Sequence, residues 1–374
     1  MNDETLIKSD FDLKESDDLA NELPELKEPF DPKEIDIQVV QTTMDNLIKR
    51  LSHKEIDLNP DFQRTSDLWR NELKGRLIES LLIRLPIPAF YFDASNDDLW
   101  QVVDGLQRLT TIKRFVLDKT LKLSGLEFLK EYNKKTIDDL PRSLTRRIEE
   151  APVTLYLIKP GTPLNVKYSL FYRINTGGLT LNPQEIRHAL SQSVNNGQAS
   201  QFLKKIAESD YFKKYVRVYD KRMLDKELIL RYIAFKITNF EKYKEPMIKF
   251  LNEAMELLGR ADKTLLNKLE TDFKKAILIS WDIFGENAFR KSIKDDKTRK
   301  VINRALFEVI TTILSELTEE EIIKIKKNKE KFLREYLNLL NKTEFDNRIS
   351  ISTTYSDNVK YRFKIIRELV NYFL

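Results

Sequence analysis

Strand-like periodicity in this chain stops at Ile158, and that one change of pattern limits the architectures open to it. Up to that point short apolar runs of the strand type alternate with helical stretches, whereas beyond it the apolar residues recur at helical spacing almost to the end. Elements in that order fold as a small sheet packed with helices, followed by a region of helices alone. The expectation is therefore an α/β (α+β) domain over 34–215 with a small mixed sheet, and an all-α domain over 216–374. The 374 residues suffice for two cores.

The strands read from the sequence are IDIQVV from Ile35, EIDL, AFYFD, LWQVVDG and VTLYLI (Val153 to Ile158), with the polar SNDD turn joining the third and fourth as a hairpin. Thr42 or Thr43 caps a short helix carrying Met44, Leu47, Ile48 and Leu51. Ser66 reads as the N-cap of an amphipathic helix whose core stripe is Trp69, Leu73, Leu77 and Leu81, ended by Pro86 and Pro88. Leu126, Phe128 and Leu129 mark a further partly buried segment. Residues 165 to 174 read as a helix, and Asn182, with Pro183 at N1 and Glu185 at N3, opens the next. After 215 the helices are rich in Lys, Glu, Leu and Ile. RMLDKELILRYIAFKI is the most apolar of them, with Glu227 and Arg231 spaced as an i, i+4 pair, and RISIS near 348 to 352 is the one later stretch that reads as a strand.

Composition removes several chemistries. The chain has no cysteine, which excludes disulfides, thiolate zinc sites and cysteine nucleophiles and suits a cytoplasmic protein. No window approaches the length of a membrane span, and MNDETLIKSDFDLKESDD is too acidic for a signal peptide. Residues 1 to 38 carry thirteen Asp/Glu against four Lys inside a chain of net charge +5, so the remainder is strongly basic. A basic body suits an anionic partner, either a nucleotide or nucleic acid, while residues 1–33 read as an acidic, disordered arm. KIKKNKEKFLREY reads as a solvated helix face, with a nucleic-acid patch as the alternative. There is no GxxxxGK[ST], GxGxxG or GxSxG.

The stretch with the most chemistry is WQVVDGLQRLTTIKRF, Trp100 to Phe115. A strand ends at Asp104-Gly105 and a helix carrying Leu109, Ile112, Phe115 and Val116 begins, so Asp104, Gly105, Gln107 and Arg108 gather at a helix N-terminus. Such an end attracts anions through its unpaired N–H groups. Gly105 would let a ligand approach the backbone, Arg108 would fork onto a phosphate, and Asp104 would hold a metal or a water. The same residues also fit a capping box, Asp104 with Gln107, and an ion pair of Arg108 with a nearby carboxylate. The glycines of Asn175-Thr176-Gly177-Gly178 read either as a helix C-cap or as a second anion nest with Arg173 and Arg187 nearby.

Five pieces, in order, resemble the N-terminal domain of GmrSD-type restriction proteins, whose fold is similar to ParB and sulfiredoxin. They are PDFQR (Pro60 to Arg64), LIESLLIRLPIP (Leu77 to Pro88), DGLQRLTT (Asp104 to Thr111), FYRINTGGLTLNPQEIRHAL (Phe171 to Leu190) and RMLDKELILRYIAF (Arg222 to Phe235). The resemblance implies a nucleotide-binding domain in which a DGQQR motif supports nucleoside-triphosphate binding and, in some members, Mg2+-dependent hydrolysis that licenses attack on foreign DNA. Carried onto this chain, the motif is Asp104, Gly105, Gln107 and Arg108, with Leu106 in place of the first Gln, a change that bears on hydrolysis more than on binding. Asp104, Gln107 and Arg108 are then the catalytic candidates and Asp104 the metal candidate. Arg64, Gly105, Arg108, Thr111, Asn175 and Gly177 are the nucleotide-binding candidates.

Restriction members usually add an HNH nuclease, whose chemistry needs a histidine base and further metal ligands. The only histidines are His53, in a charged loop, and His188, within a helix, and neither belongs to a paired motif. No fused HNH nuclease is expected, and a separately encoded nuclease or other protein is the expected partner. The sequence reading is thus a nucleotide-binding protein of the DNA restriction or anti-phage defence type, with a non-catalytic DNA-binding or adaptor module as the alternative.

Overall fold

The computed structural model of the protein describes residues 36–58, 69–174, 182–191, 195–218, 222–291 and 301–374. The chain forms two compact units, one ending at Asn182 and the other running from Pro183 to Leu374.

The first unit is built on five strands: β1 (Ile37–Thr43), β2 (Ile56–Asp57), β3 (Phe90–Asp93), β4 (Trp100–Asp104) and β5 (Pro152–Ile158). Their order across the sheet is β1-β5-β3-β4-β2. β1 runs antiparallel to β5, β5 parallel to β3, β3 antiparallel to β4 and β4 parallel to β2, so the sheet is mixed as expected. Its helices are α1 (Met44–Ser52), α2 (Asn71–Leu82), α3 (Leu106–Ile112), α4 (Arg142–Glu149) and α5 (Leu164–Ile174).

One face of the sheet is apolar. Phe90, Phe92, Trp100, Val153, Leu155 and Leu157 join Met44 and Leu47 of α1, Ile78 and Leu81 of α2, Leu109 and Ile112 of α3 and Ile148 of α4 in a single core. The alternation Val153-Leu155-Leu157 is the period-2 signature of a strand buried on one face. The Arg50 guanidinium lies over the Trp100 ring, 3.8 Å from its centroid.

Two packing expectations need correction. Leu73 is 48% exposed, although Leu77 and Leu81 are buried. A row taken every fourth residue turns by about 40° per step on a helix of 3.6 residues per turn, so two steps carry Leu73 off the face that holds Leu81. The true stripe of α2 follows 3.6 and includes Lys74, Leu77, Ile78, Leu81 and Leu82. The helix begins at Asn71, with Arg70 at its N-cap position; Ser66 lies outside the described residues. Phe128 is also exposed, because its segment is held by its backbone: the N–H groups of Glu127, Phe128 and Leu129 all donate to the buried Glu79 carboxylate, at 2.9, 2.8 and 2.8 Å.

The second unit is helical. It contains α6 (Pro183–Ser191), α7 (Gln198–Glu208), α8 (Asp210–Tyr215), α9 (Leu224–Ile237), α10 (Met247–Arg260), α11 (Lys263–Phe284), α12 (Arg304–Glu316), α13 (Glu319–Lys327), α14 (Lys329–Leu340), α15 (Thr343–Arg348) and α16 (Ser356–Asn371). α9 is the central helix, buried from Leu224 to Phe235 and packed on α7, α10 and α12. Helices α6 to α8, which the sequence reading groups with the sheet, pack in this unit, α6 on α10 and α7 on α9 and α10.

RISIS is not a strand. Arg348 ends α15, and the carbonyl of Asp346 accepts from the Ser350 hydroxyl while that of Asn347 accepts from the Ile351 N–H, so local turns take up the groups a ladder would need. The Glu227–Arg231 pair forms at 3.0 Å, and it extends into a buried network: Arg231 also bonds Glu308 at 2.9 Å, and Glu308 accepts from Arg362. Basic residues of α13 and α14 such as Lys324, Lys327 and Lys331 are exposed.

Candidate functional site

The strand-to-helix turn after β4 is shaped by two backbone departures. Phe92 lies opposite Val102 while Tyr91 lies opposite Asp104, so Val103 is an extra residue in β4, a bulge that re-aims the strand's last side chain. Gly105 follows with φ +102°, and a Cβ there would stand 2.4 Å from the Phe90 ring. Glycine is required at this position both by the left-handed φ and by the close approach of Phe90. The N-cap of α3 is Gly105 itself, and no side chain caps the helix. The Asp104–Gln107 capping box is therefore absent. Beyond Ile112 the helix widens into a π turn over Lys113–Leu117, a form common at functional sites.

Arg108 is 8% exposed and firmly tied. Its guanidinium donates to the carbonyls of Pro88 and Ala89, the latter at 2.9 Å, and to Asp104 Oδ2 at 2.9 Å, and it lies 4.5 Å from the centroid of the Phe90 ring. Burial draws its pKa down, and the Asp104 carboxylate opposes that. Arg108 thus bolts the Leu85–Ala89 connection to the turn, which is the ion-pair alternative of the sequence reading with two backbone carbonyls added. Asp104 is different: its side chain is 38% exposed, and Oδ1 takes no part in the bond to Arg108. Thr111 is buried, and its hydroxyl donates to the Gln107 carbonyl at 2.7 Å, within its own helix.

Asp104 opens onto the second face of the sheet, which mixes polar and apolar residues, Asp93 and the buried Ile158 among them. Residues directly opposite in register share a face, so Tyr156, Tyr91 and Asp104 form a row across β5, β3 and β4. The two tyrosine rings stack, with centroids 4.6 Å apart and planes within 9°. Burial pushes the Tyr91 hydroxyl pKa up, as do Tyr156 and Asp104 beside it, while Arg108 opposes. Two residues along β3, Asp93 accepts from Lys167 of α5 at 2.8 Å, both side chains being buried, and Ser95 bonds to each of them. That pair anchors α5, which also packs on β4.

Of the sequence-predicted residues, Asp104, Gly105, Gln107 and Arg108 share one turn, with Thr111 one helical turn further on. Arg64, Asn175 and Gly177 lie outside the described residues. Tyr91, Tyr156, Asp93 and Lys167 carry no motif, and only register and packing bring them together across as many as 74 positions. His53 is exposed at the end of α1, and His188 is buried within α6.

A single half-exposed carboxylate fits a Mg2+ that takes its remaining ligands from phosphates and water, not an all-protein cage. Among the described residues no group of three or more His, Asp or Glu is placed to hold a metal ion, and no helix is long and apolar enough to cross a membrane.

Residues 46–192 match the family described as GmrSD restriction endonuclease, N-terminal domain. No curated protein and no solved structure matches the chain. The matched region starts in α1 and runs through the last residue of α6, and so includes β4, the glycine turn and the whole of α5. With the mixed sheet and the DGLQR turn in place, residues 46–192 are similar to the N-terminal domain of the GmrSD restriction endonuclease family.

Proposed function

We propose that this chain works in DNA restriction or anti-phage defence, and that its first unit binds a nucleoside triphosphate with Mg2+ at Asp104. The observation that carries the reading is the asymmetry of the Asp104–Arg108 pair. Arg108 is buried and fixes one carboxylate oxygen, while Asp104 stays half exposed with its second oxygen outside the pair. A half-exposed carboxylate locked in orientation is suited to a phosphate-bound Mg2+. Arg108 then acts by orienting Asp104 and holding the turn, in place of the direct phosphate grip its position in the motif suggests. Mg2+ there would supply charge neutralisation for the phosphates. Whether the bound nucleotide is hydrolysed turns on Gln107, with Leu106 beside it.

One observation favours a second reading, a non-catalytic DNA-binding or adaptor module acting with a separately encoded nuclease. Gly105, Arg108 and Thr111 each have a structural task that accounts for them.

Titration calorimetry with each nucleoside triphosphate and Mg2+, followed by phosphate release with and without DNA, separates the two. The informative variant is Asp104→Asn, which keeps an acceptor for Arg108 and loses the charge. Arg108→Ala leaves two buried carbonyls unpaired and lowers stability by about 2 to 4 kcal/mol, so its loss of binding would prove little. Mg2+-dependent binding by the wild type that falls at least tenfold in Asp104→Asn supports the nucleotide reading. Absence of binding in the wild type, with DNA affinity that drops steeply with salt, favours the adaptor.

A further inference from the structure

The face of the sheet that carries Asp104 continues past it in a way the triphosphate alone does not use. Val39 of β1 lies opposite Tyr156 of β5, Tyr156 opposite Tyr91 of β3, and Tyr91 opposite Asp104 of β4. This is one straight row across four strands, perpendicular to their direction. Its composition changes along its length: a carboxylate held by a guanidinium at one end, two stacked phenol rings in the middle, and an aliphatic side chain that is 54% exposed at the other. Both tyrosines are half-buried and neither belongs to the apolar core on the opposite face. α5 packs on β4 and is held through Lys167 to Asp93, two residues along β3 from Tyr91.

We propose that the Val39–Tyr156–Tyr91 row seats the nucleobase of the nucleotide whose phosphates lie at Asp104. The inference rests on the nucleotide reading given above and adds to it a site for the base. Tyr91 stacks on the Tyr156 ring, and Val39, which is exposed, lies opposite Tyr156 on the next strand, so an aromatic pair stands beside an exposed aliphatic side chain, the combination on which a base stacks. The spacing is right. Tyr156 is two strands from Asp104, about 9.5 Å at a strand separation of ~4.8 Å, a span that a nucleoside triphosphate covers between its base and its terminal phosphates. Stacking tolerates every base, so the platform supplies affinity, and discrimination between bases must come from groups at its edge.

The test compares Mg2+ complexes of ATP, GTP, CTP and UTP with inorganic tripolyphosphate, on the full chain and on Tyr156→Leu, Tyr156→Phe, Tyr91→Leu, Val39→Glu and Asp104→Asn. Circular dichroism and a thermal melt check each variant's fold. The expected result is that the wild type binds at least one nucleoside triphosphate more tightly than tripolyphosphate. Tyr156→Leu and Tyr91→Leu then weaken that nucleotide tenfold or more and leave tripolyphosphate unchanged, Tyr156→Phe retains binding, and Asp104→Asn weakens both ligands. Should the leucine variants lose their fold, Val39→Glu, at an exposed position, carries the same test by placing a charge under the base. Equal affinity of the wild type for nucleotide and tripolyphosphate overturns the base platform and leaves the phosphate site standing. So does nucleotide affinity untouched by the tyrosine and valine changes. If the wild type binds neither ligand, the phosphate site and the platform fall together. Protection of the tyrosines by a single-stranded oligonucleotide in place of nucleotide also overturns the proposal.

Discussion

Gly105 offers a measurement that separates a structural glycine from one kept open for a ligand. Its φ is +102°, and Gly161, in the same unit, has φ +99°. The two differ in surroundings: a Cβ on Gly105 would stand 2.4 Å from the Phe90 ring, whereas one on Gly161 would meet nothing within 4 Å. Gly161→Ala therefore reports backbone strain alone, about 1 to 2 kcal/mol, reduced by a few tenths because alanine restricts the unfolded chain. Gly105→Ala carries the same strain plus overpacking against a ring that is itself fully buried and stacked by Arg108, about 1 to 3 kcal/mol more. The expected costs are roughly 1 kcal/mol for Gly161→Ala and 2 to 4 kcal/mol for Gly105→Ala. Native-state hydrogen exchange of the β4 and β5 amides measures the opening of this unit by itself, without assuming that both units unfold together. Equal costs for the two substitutions would refute the role given to Phe90. The glycine would then be explained by its φ alone, and room for a ligand would return as its reason.

Glu79→Gln should cost about 2 kcal/mol at neutral pH, since a carboxylate that accepts three backbone N–H groups is replaced by a neutral amide. Burial raises the Glu79 pKa, but the three N–H donors and Arg76 outweigh it and hold the carboxyl below its ordinary value of 4.5. The stability it contributes is therefore complete above that value and is lost as pH falls through the lower, folded-state value. The wild type should lose stability in that acidic window while Glu79→Gln does not, as urea midpoints at pH 7 and below pH 4.5 will show; parallel pH curves would refute the assignment. In the helical unit, Glu308→Gln should cost about 3 kcal/mol or more, because Arg231 and Arg362, both fully buried, would share a neutral partner. A thermal melt monitored by circular dichroism checks this, and a change in midpoint within error would refute it.

Much of the architecture was legible because it follows from short-range periods. The alternation in VTLYLI, the helical stripe of Met44, Leu47, Ile48 and Leu51, and the Pro183 start of α6 each encode an element and its buried face within a dozen residues. The failures share a cause. Leu73 satisfied a period of four where the helix turns in 3.6, and RISIS satisfied a strand pattern although, among the described residues, no strand pairs with it. Local pattern cannot report whether a partner exists.

The candidate site divides in the same way. The sequence by itself determined that Asp104, Gly105, Gln107 and Arg108 would meet at a strand-to-helix turn, since contiguous residues cannot be separated. What each residue does there was decided by tertiary structure. Phe90 closes on Gly105, the Pro88 and Ala89 carbonyls capture Arg108, and a bulge at Val103 brings Asp104 opposite Tyr91. Tyr91 and Tyr156 are 65 positions apart and meet only because β3 and β5 pair in parallel in this register. Strand pairing is set by burial summed over the whole sheet, and no local stretch of sequence contains that sum.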